Sequence, residues 1–160
     1  MKGKKYEGFS LIEILVVVAL IIILAAITII AINPAKNFRD TRNAQRASDV
    51  NAILNAVTQY TSEQNKKLSD LGTIVKCEDP DGNEQSTKIG KSAETGFIDL
   101  SAKLVDEADL IVAIPVDPSQ TKENKESGDD TGYTICETAG GRVQIAAPMA
   151  EETDPIVVKR

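Results

Sequence analysis

The sequence predicts an α+β protein: a long N-terminal helix, transmembrane in its first half and amphipathic in its second, packed against a small antiparallel β-sheet. Three observations carry that prediction. Residues 9–32, FSLIEILVVVALIIILAAITIIAI, form an apolar run of 24 residues in which only Ser10, Glu13 and Thr28 are frankly polar. Residues 35–64 then repeat apolar side chains at three- and four-residue spacing, the period of a helix with one buried face. Near the C-terminus, 132–137 and 142–147 alternate in polarity on either side of Gly140 and Gly141, the pattern of a hairpin.

The apolar run is long enough for a membrane. At about 1.5 Å per residue it makes a helix of roughly 36 Å, against a hydrocarbon core of about 30 Å. Backbone groups in lipid have to be satisfied within the segment, so a single span is a helix. Glu13 stands out within it. A carboxylate deep in a bilayer costs on the order of 2.5–3.5 kcal/mol, so such a residue usually has a partner. An ordinary secretory signal has an apolar region of only about 7–15 residues. A plain single-span anchor explains the length but not Glu13, and a chain of 160 residues seldom encloses so long an all-apolar helix in its core.

Asn33 and Pro34 follow the run and predict a kink or short break, because proline lacks an amide donor and crowds the preceding turn. Helix resumes over 35–64, with Ala47, Val50, Ile53, Leu54, Val57 and Tyr60 as its apolar stripe. Arg39, Arg42, Arg46 and Asp49 are assigned to the other faces, as a solvated surface or a contact for lipid head groups or a neighbouring subunit. Gly72 marks a stop or turn, and residues 73–77 predict a short strand. Residues 77–96 read as a polar loop with a turn at Asp79, Pro80, Asp81 and Gly82. That loop does not match a calcium hand, since the sixth and twelfth places from Asp79 are Glu84 and Gly90. Residues 99–108 predict a short helix capped by Asp99, with Leu100, Leu104 and Val105 on its apolar face. Residues 117–132 predict a polar surface loop. In the hairpin, Tyr133, Ile135, Val143 and Ile145 are expected to face the helix stripe, and the chain from Pro148 is expected to be loose.

Composition excludes several function classes. His and Trp are absent, which removes His-based acid–base chemistry and His-ligated metals while leaving carboxylate chemistry. The net charge is −6, from 18 basic and 24 acidic residues. An acidic surface argues against general nucleic-acid binding, and nucleic acid is not indicated as a partner. No nucleophile-and-base set, phosphate loop or metal cluster is legible, so no enzymatic role, cofactor or metal is expected.

A basic leader, MKGKKYEG, precedes the run, and the junction reads Gly8, then Phe9, with Glu13 as the fifth residue counted from Phe9. In these residues the chain resembles the class III signal of type IV pilins and type II secretion pseudopilins. The resemblance implies a prepilin leader at 1–8, a transmembrane and filament-core helix at 9–33, a pilin globular domain at 34–150 and a C-terminal tail at 151–160. It implies cleavage between Gly8 and Phe9 by a prepilin peptidase, N-methylation of Phe9, and an assembly role for Glu13 opposite a neighbour's amine. Removing residues 1–8 deletes Lys2, Lys4, Lys5 and Glu7, leaving 15 basic against 23 acidic residues and a charge of −8. The implied partners are copies of the chain in a helical filament, the peptidase, an inner-membrane assembly platform and lipid.

Three classes of function stay open on the sequence: a pilus subunit, a pseudopilin of a secretion or DNA-uptake machine, and a membrane-anchored binding module. Orientation is not decided by charge. Lys2, Lys4, Lys5 and the α-amine before the span balance Lys36, Arg39, Arg42 and Arg46 after it. The family resemblance places the C-terminal part outside the cytoplasmic membrane. In such an exported domain Cys77 and Cys136 suggest one disulfide, although spacing alone leaves two unpaired thiols open. In major pseudopilins the loop corresponding to 117–132 can hold calcium, and Asp117, Asp129 and Asp130 could supply oxygens here, but acidic loop residues are far more often simply solvated.

Overall fold

The computed structural model describes residues 8–63, 65–78 and 81–160. Lys2, Lys4, Lys5 and Glu7 of the leader, Gln64 at the expected helix end, and Asp79 and Pro80 of the expected turn lie outside the described residues. The chain divides into two compact units, residues 1–38 and 39–160.

The first unit holds helix α1, Leu11–Ile32, and none of its residues is buried. Thr28 turns its hydroxyl back onto the Leu24 carbonyl at 2.8 Å, which satisfies a polar group inside the apolar run. The helix stops at Asn33, whose φ of 45° is left-handed, and Pro34 opens the next helix. Asparagine tolerates that conformation, and proline suits a first helical turn because its missing N–H would have no partner there. Asn33 thereby closes one helix and opens another. Its carbonyl accepts from Lys36 and Asn37 at 3.1 and 3.3 Å, and its side-chain oxygen accepts from the Lys36 amide at 3.3 Å. The break expected at Asn33 and Pro34 is therefore a double cap.

In the second unit, helix α2 (Pro34–Ser62) continues from Arg39 and supplies Val50, Ile53, Leu54, Ala56, Val57 and Tyr60 to the core. The sheet has the order β2-β1-β3-β4-β5, from strands β1 Thr87–Ile89, β2 Phe97–Ile98, β3 Thr134–Glu137, β4 Val143–Ala147 and β5 Ile156–Lys159. All pairs are antiparallel except β1 with β2. The hairpin of β3 and β4 stands where the sequence put it, in the register Ile135 to Ile145 and Glu137 to Val143. Tyr133, Ile135, Val143 and Ile145 all enter the core that α2 lines.

Five expectations change. The stretch from Pro148 is not loose, because Ile156, Val157 and Val158 pair with β4 as an edge strand. The strand expected at 73–77 is reduced to a single bridge between Lys76 and Glu137, with Cys77 N–H on the Glu137 carbonyl at 2.9 Å. The polar loop 77–96 contains β1, whose three residues are too few to display an alternation. The polar loop 117–132 contains helix α3, Lys122–Ser127, which buries nothing and so leaves no apolar stripe to read. Its cap is local: the Thr121 hydroxyl accepts the Asn124 amide at 3.2 Å. The helix expected over 99–108 is a single π-helical turn, Ala102–Glu107, with Ala108 N–H reaching Lys103 C=O at 3.2 Å. Leu100 and Leu104 are buried as expected, Val105 only partly, and Asp99 accepts the Ser101 amide at 2.8 Å.

Candidate functional site

The candidate assembly residues sit at the start of α1. Phe9 is 82% exposed, and Gly8, Ser10 and Glu13 are exposed with it. The Glu13 carboxylate lies 3.5 Å from the Ser10 amide, one of the four amides that a helix start leaves without an intrahelical partner. A carboxylate is favoured there by the helix dipole as well. A methyl group added at Gly8 would meet nothing within 4 Å. The fold itself therefore makes no demand for glycine at that position.

The second constellation was missed by the sequence reading, which put the arginines of α2 on faces away from the core. Arg46 is fully buried and spends all five of its N–H donors. Nε and Nη2 grip Asp117 at 2.7 and 3.0 Å, Nη2 also reaches the Ser119 hydroxyl at 2.7 Å, and Nη1 reaches Asn43 at 2.9 Å and Glu151 at 3.2 Å. Asp117 is likewise fully buried. Three residues along, Asp49 accepts from the Tyr133 phenol at 2.6 Å and from Gln45 at 2.7 Å. The signal was available: Arg46 stands four before Val50 and seven before Ile53, on the stripe itself.

The remaining arginines of α2 are held too. Arg42 makes a bidentate pair with Glu151 at 2.6 and 2.5 Å, and Arg39 meets Glu152 at 2.8 Å. Asn43 clasps the Glu151 backbone from both sides, at 2.8 and 3.0 Å. The arginines expected as a solvated face or a lipid contact are thus tied into their own chain. The electrostatics follow the geometry. Hydrogen bonds from Arg42, then from Arg46, hold the Glu151 carboxyl down at about 2. The bond to Asp117 raises Arg46, and burial with the Asp49 hydrogen bond raises the Tyr133 phenol.

On the sheet side, Cys77 and Cys136 are joined in a disulfide across a separation of 59 residues. Of the three aspartates considered as calcium oxygens, Asp117 and Asp130 are engaged otherwise. Both oxygens of Asp117 are taken by Arg46, and one also accepts the Ser119 amide at 2.7 Å. Asp130 caps the Gly132 amide at 2.8 Å and faces Lys88 at 3.6 Å. Gly132 has a φ of +80°, and a methyl group there would lie 2.8 Å from the Asp117 Cβ, so the loop closes tightly around this aspartate. Among the described residues no group of three His, Cys, Asp or Glu side chains is placed to hold a metal ion.

Residues 3–32 match the family model described as the prokaryotic N-terminal methylation motif. The match takes in Gly8, Phe9 and Glu13 and ends at Ile32, the last residue of α1. No curated protein and no solved structure matches the chain. The helix it covers is long and apolar enough to cross a membrane, which fits membrane anchoring of a pilin. At its N-terminus the chain thus carries the class III signal of type IV pilins and pseudopilins, and that motif supports a pilin-like or pseudopilin protein.

Proposed function

We propose that the protein is a structural subunit of a type IV pilus-like filament, inserted in the membrane as a prepilin, cut after Gly8, methylated on Phe9 and assembled through α1. The observation that carries this reading is α1 itself. It offers 22 apolar-rich residues with none buried, directly behind the junction of Gly8 and Phe9. Such a surface is stable in lipid or against other apolar helices, and not in water. The disulfide supports placing the 39–160 unit outside the cytoplasm, where thiols oxidise.

The mechanism uses charge for register and apolar area for strength. Cleavage frees an amino group on Phe9, and a neighbour's Glu13 supplies its carboxylate partner. Within a bundle of low dielectric that pair is worth more than in water, while an unpaired member costs several kcal/mol. The prepilin peptidase and an inner-membrane assembly platform are the partners this mechanism requires.

The test is the mass and N-terminal sequence of the mature protein. A chain starting at methylated Phe9 is expected, and Gly8→Val is expected to block cutting by adding bulk where the peptidase approaches the backbone. A mature chain starting at Met1, or near Ala26, contradicts the proposal. Deletion that abolishes secretion or DNA uptake without loss of surface filaments points to the pseudopilin role instead.

A further inference from the structure

We propose that the Arg46 guanidinium is the built-in cation of the 117–132 loop, holding Asp117, Ser119 and Glu151 together so that the folded 39–160 unit needs no divalent cation. The resemblance to major pseudopilins leaves calcium on Asp117, Asp129 and Asp130 as one reading of this loop beside plain solvation, and the geometry at Asp117 disagrees with it. Calcium takes about six to eight oxygens. Here the most buried of the three carboxylates already has both oxygens on a guanidinium, at 2.7 and 3.0 Å. A metal ion brought to Asp117 would sit beside that guanidinium, with like charges repelling in a low dielectric.

What a metal does for a loop, Arg46 does from within the chain. It draws ligands from three separate places: Asn43 on its own helix, Asp117 and Ser119 at the loop entrance, and Glu151 beyond the hairpin. The planar fork matches a carboxylate in two bonds at once, which an ammonium does not. The loop is then carried on to the sheet: Asp117 N–H meets the Thr131 carbonyl at 2.8 Å, and Thr131 N–H meets the Ile89 carbonyl of β1 at 3.0 Å. One side chain of α2 thereby links the helix, the loop and the strand without an exchangeable ligand.

Calorimetric unfolding of the full-length protein, dispersed as single subunits in detergent micelles, tests this independently of whether filaments form. The wild type is expected to keep the same Tm in excess EDTA and in millimolar calcium chloride. Arg46→Met is expected to lower Tm by on the order of 10 °C. Arg46→Lys keeps the charge without the fork, so its Tm is expected to fall between the two and to stay indifferent to EDTA. A wild-type Tm that drops in EDTA or climbs with calcium overturns the proposal, as does an Arg46→Met protein with the wild-type Tm. Should Arg46→Met fail to fold, the wild-type comparison of EDTA with calcium decides alone.

Discussion

Helix α1 and the middle of α2 invert the usual link between apolarity and burial. From Leu11 to Ile32 the chain is almost wholly apolar and nothing is buried. From Arg46 to Tyr60 it carries Arg46 and Asp49 among its core side chains, and both are buried. The difference lies in where the partners are. For α2 they are in the same chain: Asp117, Tyr133 and the inward side of the hairpin. For α1 none of its residues is buried, and in the function proposed above its partners are lipid and other subunits. Stability of the 39–160 unit and assembly through α1 should therefore be separable by mutation.

The largest effect on the folded unit should come from the disulfide. Cys77→Ser with Cys136→Ser opens a closed loop of 59 residues, and the loop-entropy model puts the loss at roughly 4 kcal/mol. Membrane attachment should be unchanged, because α1 makes no use of the crosslink. Chemical denaturation of the two proteins in detergent, read alongside membrane fractionation, checks both halves. Loss of the membrane-bound pool would tie the two regions together and break the comparison.

A matched pair of substitutions sharpens it. Ile53→Ala removes a fully buried side chain and should cost about 2–5 kcal/mol. Ile22→Ala, at a position 62% exposed, should leave the stability of the 39–160 unit within about 0.5 kcal/mol of wild type. The two are the same chemical change, so equal destabilisation would mean that α1 packs on its own domain.

The smallest effect concerns Glu151 and acid. Its carboxyl is depressed from 4.5 to about 2 in the folded protein. A depressed carboxyl contributes stability that is present above the ordinary value and is lost as pH falls through the folded value. The Tm gap between wild type and Glu151→Gln should therefore be constant at neutral pH. It should narrow from about pH 4.5 downward and close near pH 2. The side chain is 26% exposed, so solvent screening keeps the gap small. A gap that persists at the acid end would assign the role of Glu151 to packing rather than charge.

What the sequence disclosed and what it hid follow from the same distinction. The span, the break at Asn33, the helix stripe and the hairpin were legible because each is a local pattern with its own period or turn chemistry. Strand β1 and helix α3 were not, the first for shortness and the second because an all-polar helix has no stripe. Arg46 was hidden for a different reason. Its charge argued for solvent, while its position in the stripe argued for the core, and the partner that reconciles them lies 71 residues away at Asp117. At the N-terminus the reverse holds. Gly8, Phe9 and Glu13 were legible as a motif, but the fold adds little to them: all three are exposed, and in the proposed function what reads them lies outside the chain.

The most direct test is the filament yield of Glu13→Ala, measured against processed, membrane-bound subunit in the same cells. Removing the carboxylate eases insertion, because a desolvated charge is lost, and it leaves the 39–160 unit untouched. In the proposed filament it removes the partner of a neighbour's Phe9 amine, whose burial unpaired costs several kcal/mol. The expected result is a normal pool of processed subunit, an unchanged Tm, and few or no filaments. Normal filament yield from Glu13→Ala would contradict a register set by this carboxylate, and with it the proposal that α1 finds its partners in other copies of the chain.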